Sequence, residues 1–160
     1  MSKVDPKLEL TTEHLPNGTL LLLKRQHVST IGMLQILSEK EAGDIIDVGK
    51  KKLEDLRRCL ASFQPQLRFR TPDENPVARV KDVFGDVKDT PVAYMYVRKL
   101  INYNAACKLE EIRATTYGAL AQWRETNLAA MFDHDRERCF DAPMLERMRD
   151  ELKRYGLSFK

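Results

Sequence analysis

The apolar residues of this chain recur at steps of three and four, and proline or glycine stops each run early. Leu53, Leu56, Leu60 and Phe63 form one such stripe, ended by Pro65. Leu145, Met148 and Leu152 form another, with Gly156 beyond it. A helix with a single apolar stripe gains most of its stability by burying that stripe against a neighbour. The pattern therefore predicts a mostly α fold, a small helical bundle.

Local signals delimit the helices. The C-terminal one is expected over residues 141–156. Asp141 suits the N-cap and Pro143 the first turn, Lys153 and Arg154 suit the negative end of the helix dipole, and Gly156 suits the left-handed stop, with Leu157 packing back. Residues 29–63 predict a helical pair. Its first member is capped by Ser29 or Thr30, carries Ile31, Leu34, Ala42 and Ile45, and ends near Gly49. Residues 91–132 predict one long helix or two, with Thr90 as N-cap, Pro91 at the first position and Gly118 as the bend.

Two segments break the helical spacing. Residues 7–25 predict a β-hairpin, because Leu8–Thr12 and Thr19–Leu23 flank Pro16-Asn17-Gly18, and Asn-Gly accepts the positive φ of a tight turn. This N-terminal hairpin makes the expected class α+β. A lone hairpin is marginal in water, so it needs a helix, a strand or another chain to pack on. Residues 64–90 predict a long proline-punctuated connection, with a short strand at Leu67–Arg70. At 160 residues the chain has the length of one domain, and a single domain over 1–160 is expected.

Charge is concentrated. Between Gly49 and Arg70, seven positive residues face two negative ones, against a net charge of +3 for the whole chain. Lysine and arginine bind phosphate backbones, and Phe69 between two arginines is placed to stack on a base. Lys50, Lys51, Arg57, Arg58, Arg68, Phe69 and Arg70 are therefore the candidate residues for nucleic acid or another polyanion. Substituting Arg68 and Arg70 by Glu is then expected to abolish binding. The opposing expectation is a solvated helix face, since Glu54 and Asp55 stand at pairing distance from Lys50, Lys51 and Arg58.

The common catalytic signatures are missing. No G-x-S-x-G elbow, phosphate loop or dinucleotide loop is present. Asp133-His134-Asp135 and Cys139 are metal-ligand types, but five residues separate His134 from Cys139, which points them apart on a helix. His14 and His27 flank the predicted hairpin, and two exposed histidines are the simpler reading there. No metal and no cofactor is expected. Cys59, Cys107 and Cys139 are widely spaced and odd in number, which fits a reducing intracellular compartment, the cytoplasm first. Mitochondrial import by a signal other than a presequence stays open. The longest strongly apolar run, Leu20–Leu23, is far short of the ~20 residues of a membrane span, so a soluble chain is expected.

Two short words resemble known families. Val92–Leu100 is similar to a helix of one subunit of the GINS replication complex, and Leu15-Pro16-Asn17-Gly18 to the start of pitrilysin-type metallopeptidases. The first cannot be extended on either side, and the H-x-x-E-H zinc motif of the second is missing, so neither implies a family.

The function this supports is a non-catalytic structural or adaptor subunit of a larger intracellular assembly. It would act through protein–protein contacts, with Tyr94, Leu21 and Leu23 as interface candidates and Tyr96, Tyr103 and Trp123 in the core. Other protein subunits are the expected partners and nucleic acid is the alternative. An enzyme with a spatially assembled site is the third reading, favoured by a deep pocket at His134 and opposed by a flat surface there.

Overall fold

Asn17 and Gly18 open a helix rather than turn a hairpin. The structure, a computed structural model, describes residues 4–46 and 50–160, with side chains for all of these except residues 46, 50 and 51. Among the described residues helices carry the fold, no sheet forms, and the β-structure consists of isolated bridges. The predicted α+β class with an N-terminal hairpin is thereby corrected. In α1 (Asn17–Arg25) Thr19, Leu20 and Leu23 are buried while Leu21 is 47% exposed, a helical spacing instead of a strand's alternation. Leucine is a good helix former, and Pro16 stands just before the first turn, where a missing N–H costs nothing. The other half of the expected hairpin is extended but pairs elsewhere. Leu10 N donates to Ser29 O (2.8 Å) and Ile31 N to Leu8 O (3.0 Å), around a Glu9–Thr30 bridge.

The chain divides into two compact units that meet in sequence at Gly85 and Asp86, where the sequence predicts one domain. In unit 1, α2 (Ile31–Ile36) is the centre, and all six of its residues are buried. The Thr30 hydroxyl caps it, accepting from Met33 N at 3.3 Å. The predicted helical pair is in fact three helices, because Leu37 is extended and Ser38 starts again. Ser38 Oγ accepts from Glu41 N (3.1 Å) and Glu41 Oε1 from Ser38 N (2.9 Å), a capping box that opens α3 (Glu39–Ile46). Gly49, the expected stop, lies outside the described residues. Next comes α4 (Lys50–Phe63). The expected connection holds α5 (Pro76–Phe84), capped by Asn75 Oδ1 on Val77 N (2.9 Å) and ended by Gly85 at φ +86. The expected strand at Leu67–Arg70 reduces to one parallel bridge between Ser38 and Arg70.

Gly32 is where unit 1 is tightest. A Cβ added there would stand 2.5 Å from Pro6 O and 2.7 Å from Phe84 Cζ. Gly32→Ala is expected to destabilise unit 1 by about 1–3 kcal/mol through overpacking. A denaturant midpoint unchanged from the parent chain would show that the N-terminal segment does not close on α2.

In unit 2 the predicted helix over 91–132 is four short ones: α6 (Ala93–Val97), α7 (Tyr103–Glu111), α8 (Tyr117–Leu120) and α9 (Glu125–Ala129). Thr90 is not the N-cap. Its buried hydroxyl donates to Val87 O (2.6 Å) at the end of a 3-10 turn over Val87–Asp89. Two of the three breaks fall where Lys99 and Arg113 take φ +62. Leu100 N then reaches back to Met95 O (2.9 Å) and Ala114 N to Leu109 O (2.8 Å), the six-to-one bond of a Schellman stop. Asn102 and Thr116 cap the helices that follow, accepting from Ala105 N (2.9 Å) and Ala119 N (3.1 Å). The last helix, α10 (Ala142–Arg154), is capped by Asp141 on Met144 N (2.9 Å). It ends at Gly156, φ +72, with Leu157 N on Leu152 O (2.8 Å).

Candidate functional site

A six-residue helix buried on every side leaves its last carbonyls without helical partners and without water. In unit 1 the answer to that need is arginine. Arg79 Nε donates to Gln35 O (2.9 Å), Arg70 Nε to Ile36 O (3.1 Å), and the Arg70 backbone N–H to Leu37 O (2.8 Å). Arg70 also donates to Glu41 (2.8 Å) and to Glu74 O (3.2 Å). Arg70 and Arg79 are 8% and 7% exposed. Burial, the largest influence, lowers the Arg79 guanidinium below its usual range. These two residues cap α2; they are not a surface.

The remaining residues of the candidate polyanion set differ in what engages them. Arg57 donates to Glu39 (2.7 Å) and Glu54 (2.8 Å), while Arg58 is exposed. Arg68 grips Glu74 with two hydrogen bonds, at 2.6 and 3.2 Å, and so holds the Glu74 carboxyl down at about 2. Phe69 is 6% exposed and offers no face to a base. The side chains of Lys50 and Lys51 lie outside the described residues.

Of the interface candidates, Leu21 is exposed, while Tyr94 and Leu23 are fully buried. The tyrosines trade their expected places. Tyr103 is 53% exposed, Tyr96 is half-buried, and Tyr94 lies in the core with the Arg98 guanidinium 5.3 Å from its ring centre. Next to Tyr103 on α7 the side chain of Asn104 reaches Asp133 (3.5 Å), and Phe132, the residue before Asp133, is exposed. The Tyr96 and Tyr103 rings meet edge to face at 6.2 Å. Unit 2 thus exposes two rings, Tyr103 and Phe132, each one residue along the chain from an Asn–Asp tie.

A charged centre that the sequence reading missed lies in unit 2. Glu151 on α10 is 1% exposed and accepts from Arg98 Nη1 (2.6 Å) and from the Tyr117 hydroxyl (2.7 Å). Burial first, then the Glu151 charge, push the Tyr117 phenol well above its ordinary range. Burial opposes the charge on Arg98, but its bond to Glu151 holds the guanidinium above its usual value. The signal was a carboxylate within the α10 stripe, between Met148 and Leu152.

For metal chemistry, no group of three or more His, Cys, Asp or Glu side chains converges among the described residues. His134 is exposed on a turn whose Asp133 Oδ1 is occupied by the amides of Asp135 (2.9 Å) and Glu137 (3.0 Å). His14 stacks on Phe63 at 4.1 Å, and His27 is the φ +64 residue that ends α1. Burial raises the Cys59 thiol to about 11 and Cys139 in the same direction, which suits neither for nucleophilic attack. No described helix is long and apolar enough to cross a membrane. No protein-family model, no curated protein and no solved structure matches this chain.

Proposed function

We propose that this chain is a non-catalytic subunit or adaptor that binds other proteins, and that it does so through the exposed rings Tyr103 and Phe132 of unit 2. The observation that supports the reading is the exposure of two large rings, Tyr103 and Phe132, each about half exposed to solvent. Rings of this kind bury a large area at low entropic cost and are enriched where proteins meet. The polyanion reading is weakened in proportion, since Arg57, Arg68 and Arg70 are each engaged by carboxylates of the same chain. A reducing intracellular compartment, the cytoplasm first, fits three widely spaced cysteines, an odd number.

The test is a tagged pull-down from the native cell, with and without nuclease, comparing the parent chain with Tyr103→Ala/Phe132→Ser. Stoichiometric proteins should survive nuclease and be lost from the variant. Truncating a central interface residue costs about 2 kcal/mol or more, roughly thirtyfold in Kd. Partners that vanish with nuclease would replace this reading by the polyanion one. Partners that the variant retains would move the interface elsewhere. A chain without partners would turn attention to substrates.

A further inference from the structure

We propose that Thr71 is a phosphorylation site for a proline-directed protein kinase, and that the attached phosphate takes the Arg68 guanidinium from Glu74. The Thr-Pro dipeptide that such kinases require occurs twice, at Thr71-Pro72 and Thr90-Pro91. The fold treats the two oppositely. Thr90 is completely buried and its hydroxyl is spent on Val87 O at 2.6 Å. Thr71 is exposed, in the loop between Arg70 and α5, where a kinase can reach the chain. The residue before a proline is already biased towards the extended backbone that a kinase cleft holds.

What surrounds Thr71 gives the phosphate a consequence. Its hydroxyl donates to Glu74 Oε1 (3.1 Å), its own N–H donates to the same oxygen (2.9 Å), and Arg68 Nη1 does so at 2.6 Å. The Thr71 hydroxyl therefore sits within one carboxylate of a guanidinium that is itself about half exposed. In the transfer, Oγ1 bonds to the γ-phosphorus of a nucleoside triphosphate as the bond to the leaving nucleoside diphosphate breaks. The hydroxyl proton passes to the kinase's base. Oγ1 then has no proton to give Glu74, and the new group adds a charge of about −1.5 to −2. Two anions now share one arginine. The dianion, with three acceptor oxygens in reach, is the stronger partner for the guanidinium fork. Glu74 is displaced, and a neutral Arg–Glu pair becomes a strongly negative surface beside the N-terminus of α5.

The experiment uses the full chain, adenosine triphosphate and a proline-directed kinase already verified on a Thr-Pro peptide. Tandem mass spectrometry should find phosphothreonine at Thr71 and none at Thr90. Thr71→Ala should abolish incorporation and Thr71→Ser should keep it. Phosphorus NMR then reads the pairing. The second ionisation of the phosphate, ordinarily near pH ~6, should fall at lower pH in the parent chain and return upwards in Arg68→Gln. An unmodified Thr71, or equal modification of Thr90, would overturn the site. A titration indifferent to Arg68→Gln would overturn the exchange of partners.

Discussion

Glu151→Ala is expected to destabilise unit 2 by about 3–5 kcal/mol, the cost of removing one partner from a buried ion pair. The alanine leaves two groups stranded. Arg98, 23% exposed on its side chain, keeps its charge and loses its carboxylate; the fully buried Tyr117 hydroxyl loses its acceptor. Glu151→Gln keeps an acceptor for the hydroxyl and should cost distinctly less. Arg98→Met combined with Glu151→Met removes both charges and should recover part of the loss, because paired apolar replacements of buried ion pairs are often nearly neutral. The measurement is a thermal melt followed by tryptophan fluorescence. Trp123 is the chain's single tryptophan and belongs to unit 2. In a unit of this size the midpoint should drop by on the order of 10 °C or more. A drop within a degree or two would mean that water, not Glu151, satisfies Arg98.

Arg70→Ala is the counterpart in unit 1, with an expected cost of about 2–4 kcal/mol. It uncaps Ile36 O, releases Glu74 O and leaves Glu41 without its guanidinium. Arg70→Lys should rescue little, since one ammonium cannot serve three acceptors set around a planar fork. Arg68→Ala, two residues away, should cost only about 0–1 kcal/mol, because the Arg68–Glu74 pair is substantially exposed. Hydrogen exchange read over residues 31–46 separates the two: fast in Arg70→Ala, near parental in Arg68→Ala. Equal protection in both variants would show that α2 does not depend on its arginine cap. The contrast also bears on the charge-reversal test suggested by the sequence. Arg70→Glu would set a carboxylate against Glu41 inside unit 1, so lost polyanion binding in that variant would report unfolding. Arg58→Glu is the cleaner probe.

The parts of the fold legible in the sequence were those written in local chemistry. Asp141, Gly156 and Leu157 bound α10 as their residue types demand, and Thr30 caps α2. Other local signals were present and passed over. Ser38-x-x-Glu41 has the capping-box spacing, and Asn75-Pro76 is a cap followed by a first-turn proline. Asn17-Gly18 misled because a dipeptide suited to a tight turn also tolerates a first helical turn, and the leucines after it settle the choice only once a core exists to bury Leu20 and Leu23. The stops at Lys99 and Arg113 were illegible for a different reason. A left-handed residue is ordinarily glycine or asparagine, and here two long cationic side chains occupy that conformation because the flanking apolar residues and the six-to-one bonds hold it. The surroundings of the candidate residues were illegible where they depended on distance along the chain. Nothing near Arg70 says that its partner is the carbonyl of Ile36, 34 residues earlier.

Four of the described helices are very short: α6 and α9 have five residues, α8 has four, and α2 has six. Segments of that length have no helical stability of their own in water, where about 12–15 residues are marginal even for favourable sequences. Far-ultraviolet circular dichroism, ordinarily a gauge of local backbone order, becomes for these segments a gauge of packing. The part of the signal carried by these short helices should vanish together with the burial of Leu34 and Tyr117, and only α4 and α10, with 14 and 13 residues, approach the length that holds helix once packing is lost.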